Sequence, residues 1–218
     1  MIIKGAIFDV DGTILDSMHI WYELGQRYLE RLGLKAEAGL GEKLYPMSIE
    51  EGSMYLKDNY GLNDSCEKIT ADLWNLIKAF YFEEVQLKPG VSEYLEALKN
   101  AKIPMVIATL NDRDILDKCF KRLGIKNFFT DIITCKELGV TKREPSVYLA
   151  ASEKISCKPE NTLVFEDALH CIEAARSAGF ITVAVEDASS FNDRDKIKEI
   201  ADFYIESFKN PPKINSIL

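Results

Sequence analysis

From residue 90 to residue 185 the sequence alternates between short apolar runs rich in β-branched residues and stretches with the apolar spacing of a helix. Runs of this length are typical of strands buried inside a parallel sheet. The predicted strands of the whole chain are 2–8, 103–109, 131–134, 162–165 and 181–185, and the helices predicted after residue 90 are 91–100, 114–123, 146–153 and 170–178. Such alternation indicates a sheet wound with right-handed crossovers. The sequence therefore predicts an α/β fold built on a doubly wound parallel sheet.

A helical block interrupts this alternation after the first strand. Helical spacing extends over 18–32, 49–60 and 66–84, and no convincing strand pattern occurs between 18 and 86. The segment 39–41 (Gly-Leu-Gly) indicates a loop inside the block, and 88–90 (Lys-Pro-Gly) a turn at its end. We therefore expect a catalytic core of residues 1–16 and 87–218, into which an all-helical cap domain, residues 17–86, is inserted. The segment 210–213 is expected to be a loose end.

Charge and cysteine content narrow the partners and the compartment. The net charge is −8, from 27 basic and 35 acidic residues, which argues against nucleic acid or an anionic membrane surface as the main partner. The apolar runs have the length of strands, far short of a membrane span, and we see no secretion signal. The five cysteines, an odd number without a CxxC pair, indicate a reduced cytoplasmic setting in which each is a small buried apolar residue.

Polar side chains follow three of the predicted strands where each strand ends. Asp9 and Asp11 follow the first strand, Thr109 ends the second, and the pair Glu166 and Asp167 follows the strand 162–165. Lys142 precedes the helix predicted at 146. Because ligands of open α/β sheets bind outside the carboxyl ends of the strands, we expect these groups to meet at one edge of the sheet.

This set of groups fits phosphoryl transfer. The reaction needs an in-line nucleophile, neutralisation of the charge on the equatorial phosphoryl oxygens and a proton for the leaving oxygen. Asp9 is the candidate nucleophile and Asp11 the candidate general acid and base. A Mg²⁺ ion held by Asp9 and Asp167 would remove the repulsion between carboxylate and phosphate. The candidate phosphate-binding residues are Lys142, Thr109 and the adjoining Leu110, and Gly12 would permit a tight turn near the phosphate.

The segment 7–13 (Ile-Phe-Asp-Val-Asp-Gly-Thr) resembles the first motif of the haloacid dehalogenase superfamily, whose phosphatases carry DxDGT after the first strand. Thr109 is similar to the second motif, Lys142 to the lysine of the third, and Glu166-Asp167 to the acidic pair of the fourth. The resemblance covers about residues 2–208. It implies Asp9 as nucleophile, Asp11 as acid and base, and Mg²⁺ held by Asp9, the Asp11 backbone carbonyl and Asp167, with Glu166 nearby in a supporting position.

Details of these motifs distinguish between branches of the superfamily. Asp11 favours phosphoryl chemistry, since the dehalogenases lack this aspartate and the phosphonatases carry alanine there. The β-phosphoglucomutase branch has a cap histidine where this chain has Trp21, so we expect hydrolysis of a small phosphate monoester, such as a sugar phosphate. A sugar-phosphate mutase and a non-catalytic protein that binds a phosphorylated metabolite remain alternatives. The third motif departs from the usual pattern at Arg143 and Ser146, and Cys171 stands where glycine is common in the stretch after the fourth.

Plainer interpretations apply to several of these residues. Asp9 and Asp11 could be turn residues, Lys142 a solvated lysine and Thr109 an ordinary strand residue. In the cap, Trp21 and Tyr28 have the spacing of core residues, with a platform for the substrate as the alternative. Lys43 is expected to be a solvated lysine or a contact to the far end of the substrate. His19 is as consistent with a surface position as with a substrate contact.

Overall fold

Six parallel strands form one sheet in the order β3-β2-β1-β4-β5-β6 in the computed structural model of the chain, which describes residues 2–209. The strands are β1 (Gly5–Phe8), β2 (Met105–Thr109), β3 (Phe129–Thr134), β4 (Thr162–Glu166), β5 (Ile181–Val185) and β6 (Phe203–Ile205). The predicted doubly wound α/β fold is confirmed. The segment 210–213, expected to be a loose end, lies outside the described residues.

Strand β1 lies at the centre of the sheet. Ile7 pairs with Val106 of β2 on one side and with Val164 of β4 on the other. Every residue of β1, β2, β4 and β5 is buried, as expected for strands covered on both faces. The winding direction reverses between β1 and β4, and open α/β sheets bind their ligands at the carboxyl ends of the strands at such a point.

The helices that accompany the sheet are α5 (Val91–Asn100), α6 (Arg113–Arg122), α7 (Cys135–Leu138), α8 (Ser146–Lys154), α9 (Leu169–Ser177) and α10 (Arg194–Ile200). Short 3₁₀ turns occur at Lys126–Phe128, Pro159–Asn161 and Ala188–Asp193. Helix α8 packs against β1, β2 and β3, and α9 packs against β4 and β5. One apolar cluster joins these layers and includes Ile7 and Val164 of the sheet and Tyr148 of α8.

The chain divides into two compact units, Met1–Asp16 with Gln86–Leu218, and Ser17–Val85. Gln86, expected in the inserted segment, belongs to the first unit because its carbonyl accepts a hydrogen bond from the Asp16 N–H at 3.0 Å. The second unit is helical and contains α1 (His19–Arg31), α2 (Leu40–Leu44), α3 (Ile49–Tyr60) and α4 (Cys66–Ala79), followed by a π-helical turn, Phe80–Glu84.

Helix α2 corrects the loop expected at 39–41. Gly39 precedes the helix with a φ of 78°, and Gly41 lies inside it. A Cβ atom at Gly41 would lie 2.4 Å from the Tyr22 carbonyl oxygen. The second glycine therefore permits close packing of α2 against α1 rather than an irregular backbone.

The five cysteines are free, as expected, but their burial corrects the expectation of five buried residues. Cys119, Cys135 and Cys171 are buried, whereas Cys66 and Cys157 are half-buried. Among the described residues, no helix has the length and apolar character needed to cross a membrane.

Candidate active site

The carboxyl end of β1 leads directly into Asp9. The Asp9 N–H donates to the Phe165 carbonyl of β4 at 3.0 Å, so the ladder continues one residue past the strand. The chain then turns tightly, because the N–H groups of Thr13, Ile14 and Leu15 all donate to the Val10 carbonyl. Gly12 has a φ of 80°, a conformation that glycine adopts without strain. The expected turn after Asp9 is therefore present.

Lys142 lies buried between two carboxylates. Its Nζ donates to Asp9 Oδ1 and, at 2.7 Å, to Glu166 Oε1. The Lys142 side chain is 3% exposed, and those of Asp9 and Glu166 are 8% and 1% exposed. A solvated lysine is therefore excluded. Although burial opposes the charge of Lys142, Asp9 and Glu166 raise the pKa of its ammonium group well above the ordinary value.

Three buried carboxylates converge beside this ammonium group. One oxygen atom each of Asp9, Glu166 and Asp167 lies within 4.8 Å of the others, a spacing suited to a metal ion. Burial and the charge of Asp9 raise the pKa of Glu166 to about 7 against the opposing effect of Lys142. Burial, followed by the charges of Asp9, Glu166 and Asp187, raises the pKa of Asp167 well above its ordinary range. When all three carboxylates are ionised, the cluster carries more negative charge than one lysine offsets, and a bound cation would favour that ionised form.

Thr109 and Asp11 are joined through Asn111. The Asn111 N–H donates to Thr109 Oγ1 at 3.0 Å, and Asn111 Nδ2 donates to Asp11 Oδ2 at 3.0 Å. Asn111 Oδ1 accepts from the Asp112 N–H at 2.8 Å, which fixes the orientation of the amide. Thr109 is buried at the end of β2, and the adjoining Leu110 is 62% exposed. The ends of β1 and β2 are therefore connected by side-chain hydrogen bonds.

Two residues of the site, Asn111 and Tyr148, were not predicted from the sequence. Tyr148 lies on α8 and donates its hydroxyl to Glu166 Oε1 at 2.7 Å. A tyrosine on the buried face of a predicted helix was a usable signal, because a buried phenol normally has a hydrogen-bond partner. Asn111 had a weaker signal, its place two residues after Thr109 at the edge of the sheet.

The candidates within the second unit have local partners. Lys43 Nζ bonds to Glu37 Oε1 at 2.8 Å, so it is ion-paired rather than merely solvated. Tyr28 is buried, as expected of a core residue, while Trp21 is half-buried and lines an apolar cavity of about 40 Å³. The His19 ring is exposed and packs edge-on against Phe80, with ring centroids 5.2 Å apart.

The unusual positions of the third and fourth motifs leave the cluster intact. Arg143 is exposed and Ser146 begins α8, while the preceding Lys142 is buried. Cys171 is buried on α9. The altered residues therefore change the loop surface and not the group that contacts Asp9.

The order and geometry of these motifs agree with a comparison against known families. Residues 6–185 match the model of the family described as haloacid dehalogenase-like hydrolase. The chain belongs to this family. This haloacid dehalogenase-like hydrolase is 29% identical over 177 residues to a phosphorylated carbohydrates phosphatase of Thermotoga maritima, with 81% of the chain and 82% of the relative covered. It is 27% identical over 191 residues to a β-phosphoglucomutase of Bacillus subtilis, with 84% and 83% covered.

The same likeness holds in three dimensions. The crystal structure of a Thermotoga maritima protein with a provisional assignment as β-phosphoglucomutase superposes with a TM-score of 0.88 at 25% identity, covering 99% of this chain and 100% of that one. The predicted family, the Rossmann-like core with an inserted helical cap, and the enzyme class of phosphoric monoester hydrolases are confirmed. Relatives of this hydrolase are phosphatases of sugar phosphates and related metabolites.

Proposed function

We propose that the chain is a Mg²⁺-dependent phosphatase that hydrolyses a small phosphate monoester, such as a sugar phosphate, through an aspartyl-phosphate at Asp9. The observation that carries the proposal is the buried contact of Lys142 with both Asp9 and Glu166 beside Asp167. A nucleophilic carboxylate, an ammonium group and further carboxylates are the parts that phosphoryl transfer requires.

The residues of the cluster fit a magnesium ion. Carboxylate oxygens are the ligands that Mg²⁺ prefers, and the cluster presents three within 4.8 Å of one another. We assign the metal to Asp9, the Asp11 backbone carbonyl and Asp167, with Glu166 in a supporting position on Lys142. When bound, the ion would supply positive charge that reduces repulsion between the Asp9 carboxylate and the phosphate.

In the first step, a carboxylate oxygen of Asp9 attacks the phosphorus atom and the bond from phosphorus to the leaving oxygen breaks. Lys142, held by Glu166, places its ammonium group on Asp9 Oδ1, so Oδ2 is the attacking atom. Lys142, the Thr109 hydroxyl and the Leu110 N–H bind phosphoryl oxygens. Asp11 gives its proton to the leaving oxygen, since an alkoxide is a poor leaving group at neutral pH.

In the second step, water attacks the phosphorus atom of the aspartyl-phosphate. Asp11, now ionised, takes a proton from the water, and Asp9 is released as a carboxylate together with inorganic phosphate. Asn111 orients Asp11 through its amide for both proton transfers. The residues of this chemistry all belong to the first unit, and we assign the choice of substrate to the helical unit 17–85.

Release of inorganic phosphate from a panel of small phosphate esters, with Mg²⁺ or with EDTA, tests this function. We expect metal-dependent release that Asp9→Asn abolishes while circular dichroism shows an intact fold. Asp58→Asn, an exposed aspartate on α3, is the matched control and should retain full activity. Turnover by Asp9→Asn at the wild-type rate would rule out Asp9 as the nucleophile.

A sugar-phosphate mutase is the second candidate. The similarity to the Bacillus subtilis β-phosphoglucomutase favours it, whereas Trp21, where that branch carries a cap histidine, favours hydrolysis. Isomerised sugar phosphate without net phosphate release would identify the mutase. Metal binding without either product would favour a protein that only binds a phosphorylated metabolite.

A further inference from the structure

The hydroxyl of Tyr148 and the ammonium group of Lys142 donate to the same atom, Glu166 Oε1, each at 2.7 Å. The three side chains come from different segments, namely α8, the loop before it, and the end of β4. The Lys142 Nζ also lies 5.9 Å from the centre of the Tyr148 ring. Tyr148 is fully buried in the apolar cluster that joins α8 to the sheet. Its hydroxyl is therefore a fixed donor next to a buried pair of charged side chains.

An ammonium group has three donors. Two of those of Lys142 are directed to Asp9 and Glu166, so the third is available to a phosphoryl oxygen. The long stem of lysine adopts many rotamers, and only its partners determine where Nζ lies. A further hydrogen bond to the carboxylate of Glu166 restricts its rotation and so restricts where Lys142 Nζ lies. Tyr148 provides that bond from a ring with only two side-chain torsions, packed in the core.

We propose that Tyr148 is a positioning residue of this enzyme, which acts through Glu166 to hold the Lys142 ammonium group on the nucleophile Asp9. This inference rests on the proposed function and adds to it a residue that touches neither substrate nor metal. Packing alone does not require the hydroxyl, since phenylalanine fills the same volume. The hydroxyl instead donates a hydrogen bond to the carboxylate that holds Lys142.

Tyr148→Phe tests the proposal because it removes one oxygen atom and keeps the ring. We expect kcat to fall about tenfold to hundredfold, the range for one hydrogen bond to a charged group, while KM changes less than threefold. In a Glu166→Gln background the same substitution should change kcat less than twofold, because the partner is already altered. A kcat within twofold of wild type, or an equal fall in both backgrounds, would overturn the proposal.

Tyr94→Phe is the matched control. The Tyr94 hydroxyl is also buried and has no hydrogen-bond partner among the described residues 2–209. The Tyr94 ring packs against Phe165, next to Glu166. Removal of the hydroxyl should leave kcat within twofold of wild type. A large fall in this control would show that loss of any buried phenol slows the enzyme, and would count against a specific role for Tyr148.

A second readout does not depend on turnover. The ¹H–¹⁵N signal of the Lys142 ammonium group, identified by its loss in Lys142→Met, should exchange at least tenfold faster with water in Tyr148→Phe and stay unchanged in Tyr94→Phe. An unchanged signal in Tyr148→Phe would overturn the inference even if wild type released no phosphate. Absence of phosphate release with the expected signal change would instead reject only the proposed function.

Discussion

Replacement of Lys142 by methionine removes the ammonium group and keeps a side chain of similar length in a buried position. The change leaves Asp9 and Glu166 side by side without the cation that bonds to both. We expect a large loss of stability in the metal-free protein, because two carboxyl groups would remain buried close to a third, Asp167, without the cation that offsets their charge.

The magnitude follows from the distances. At 2.7 Å, one pair of unit charges interacts by about 6 kcal/mol with an effective dielectric constant of about 20. The substitution also removes the free-energy cost of burying the ammonium group, and this gain offsets part of the lost interaction energy. Removal of one partner from a buried ion pair typically costs about 3–5 kcal/mol. In a chain of this length each kcal/mol lowers Tm by about 2–4 °C, so a fall of roughly 6–20 °C is expected.

Thermal unfolding in EDTA at pH 8, followed by circular dichroism, measures this effect. Lys158→Met, an exposed lysine after α8, is the matched control and should shift Tm by less than about 2 °C. The deficit of Lys142→Met should shrink at pH 5, where protonation of Glu166 relieves the repulsion. A shift no larger than that of the control would refute a stabilising role for Lys142, and a deficit independent of pH would refute the electrostatic explanation.

Three other outcomes follow from the same contacts. Asn111→Ala should lower kcat about tenfold, because Asp11 loses the hydrogen bond that orients it. Steady-state kinetics at saturating substrate measure kcat, and an unchanged kcat would contradict the prediction. In metal-free protein, Glu166 takes up a proton on folding between pH 4.5 and about 7, so stability falls as pH rises through that window, by at most on the order of 3 kcal/mol. Glu166→Gln should flatten this dependence in urea titrations, and an unchanged slope would assign it to other groups. Gly90→Ala should destabilise the fold by more than the ~1 kcal/mol expected of Gly124→Ala. A Cβ atom at residue 90 would lie 2.4 Å from the Lys209 nitrogen, whereas Gly124 faces open space. Equal losses of unfolding free energy in the two variants would contradict this.

The sequence was informative about the sheet because buried parallel strands leave a strong pattern. The predictions for β5 and α5 match the observed bounds at both ends. Strand β2 begins two residues later than predicted, since Pro104 lacks the N–H that a ladder requires. Strand β1 begins at Gly5, because the N–H of Lys4 donates to Asn161 in a 3₁₀ turn rather than to a strand.

Two short elements were not predicted. Helix α10 and strand β6 follow β5, and each has seven residues or fewer. Elements of this length have too few apolar positions to show a period. Helix α2 was not predicted because two glycines lie at its start. Gly39 takes a positive φ before the helix, and Gly41 permits close packing against α1, which the local sequence does not reveal. Contacts between distant segments cannot be derived from spacing along the chain.

The residues of the site likewise fall into those that the sequence predicts and those that it does not. Residues such as Asp9, Lys142 and Asp167 could be proposed because their charge is unusual at the end of a buried strand or in an adjacent loop. Asn111 and Tyr148 act through single hydrogen bonds to such residues, and only coordinates reveal these bonds. The roles of all these residues in catalysis remain predictions.

The central place of β1 in the sheet has a consequence for synthesis on the ribosome. Its register partners lie at 105–107 and 162–165, whereas the helical unit 17–85 follows it directly in the chain. At about 5–20 residues per second, β4 emerges roughly ten to thirty seconds after β1. All residues of the helical unit are therefore synthesised while β1, the strand that leads into Asp9, still has no neighbouring strand. A nascent chain has to keep that apolar segment from aggregating until its last partner is made.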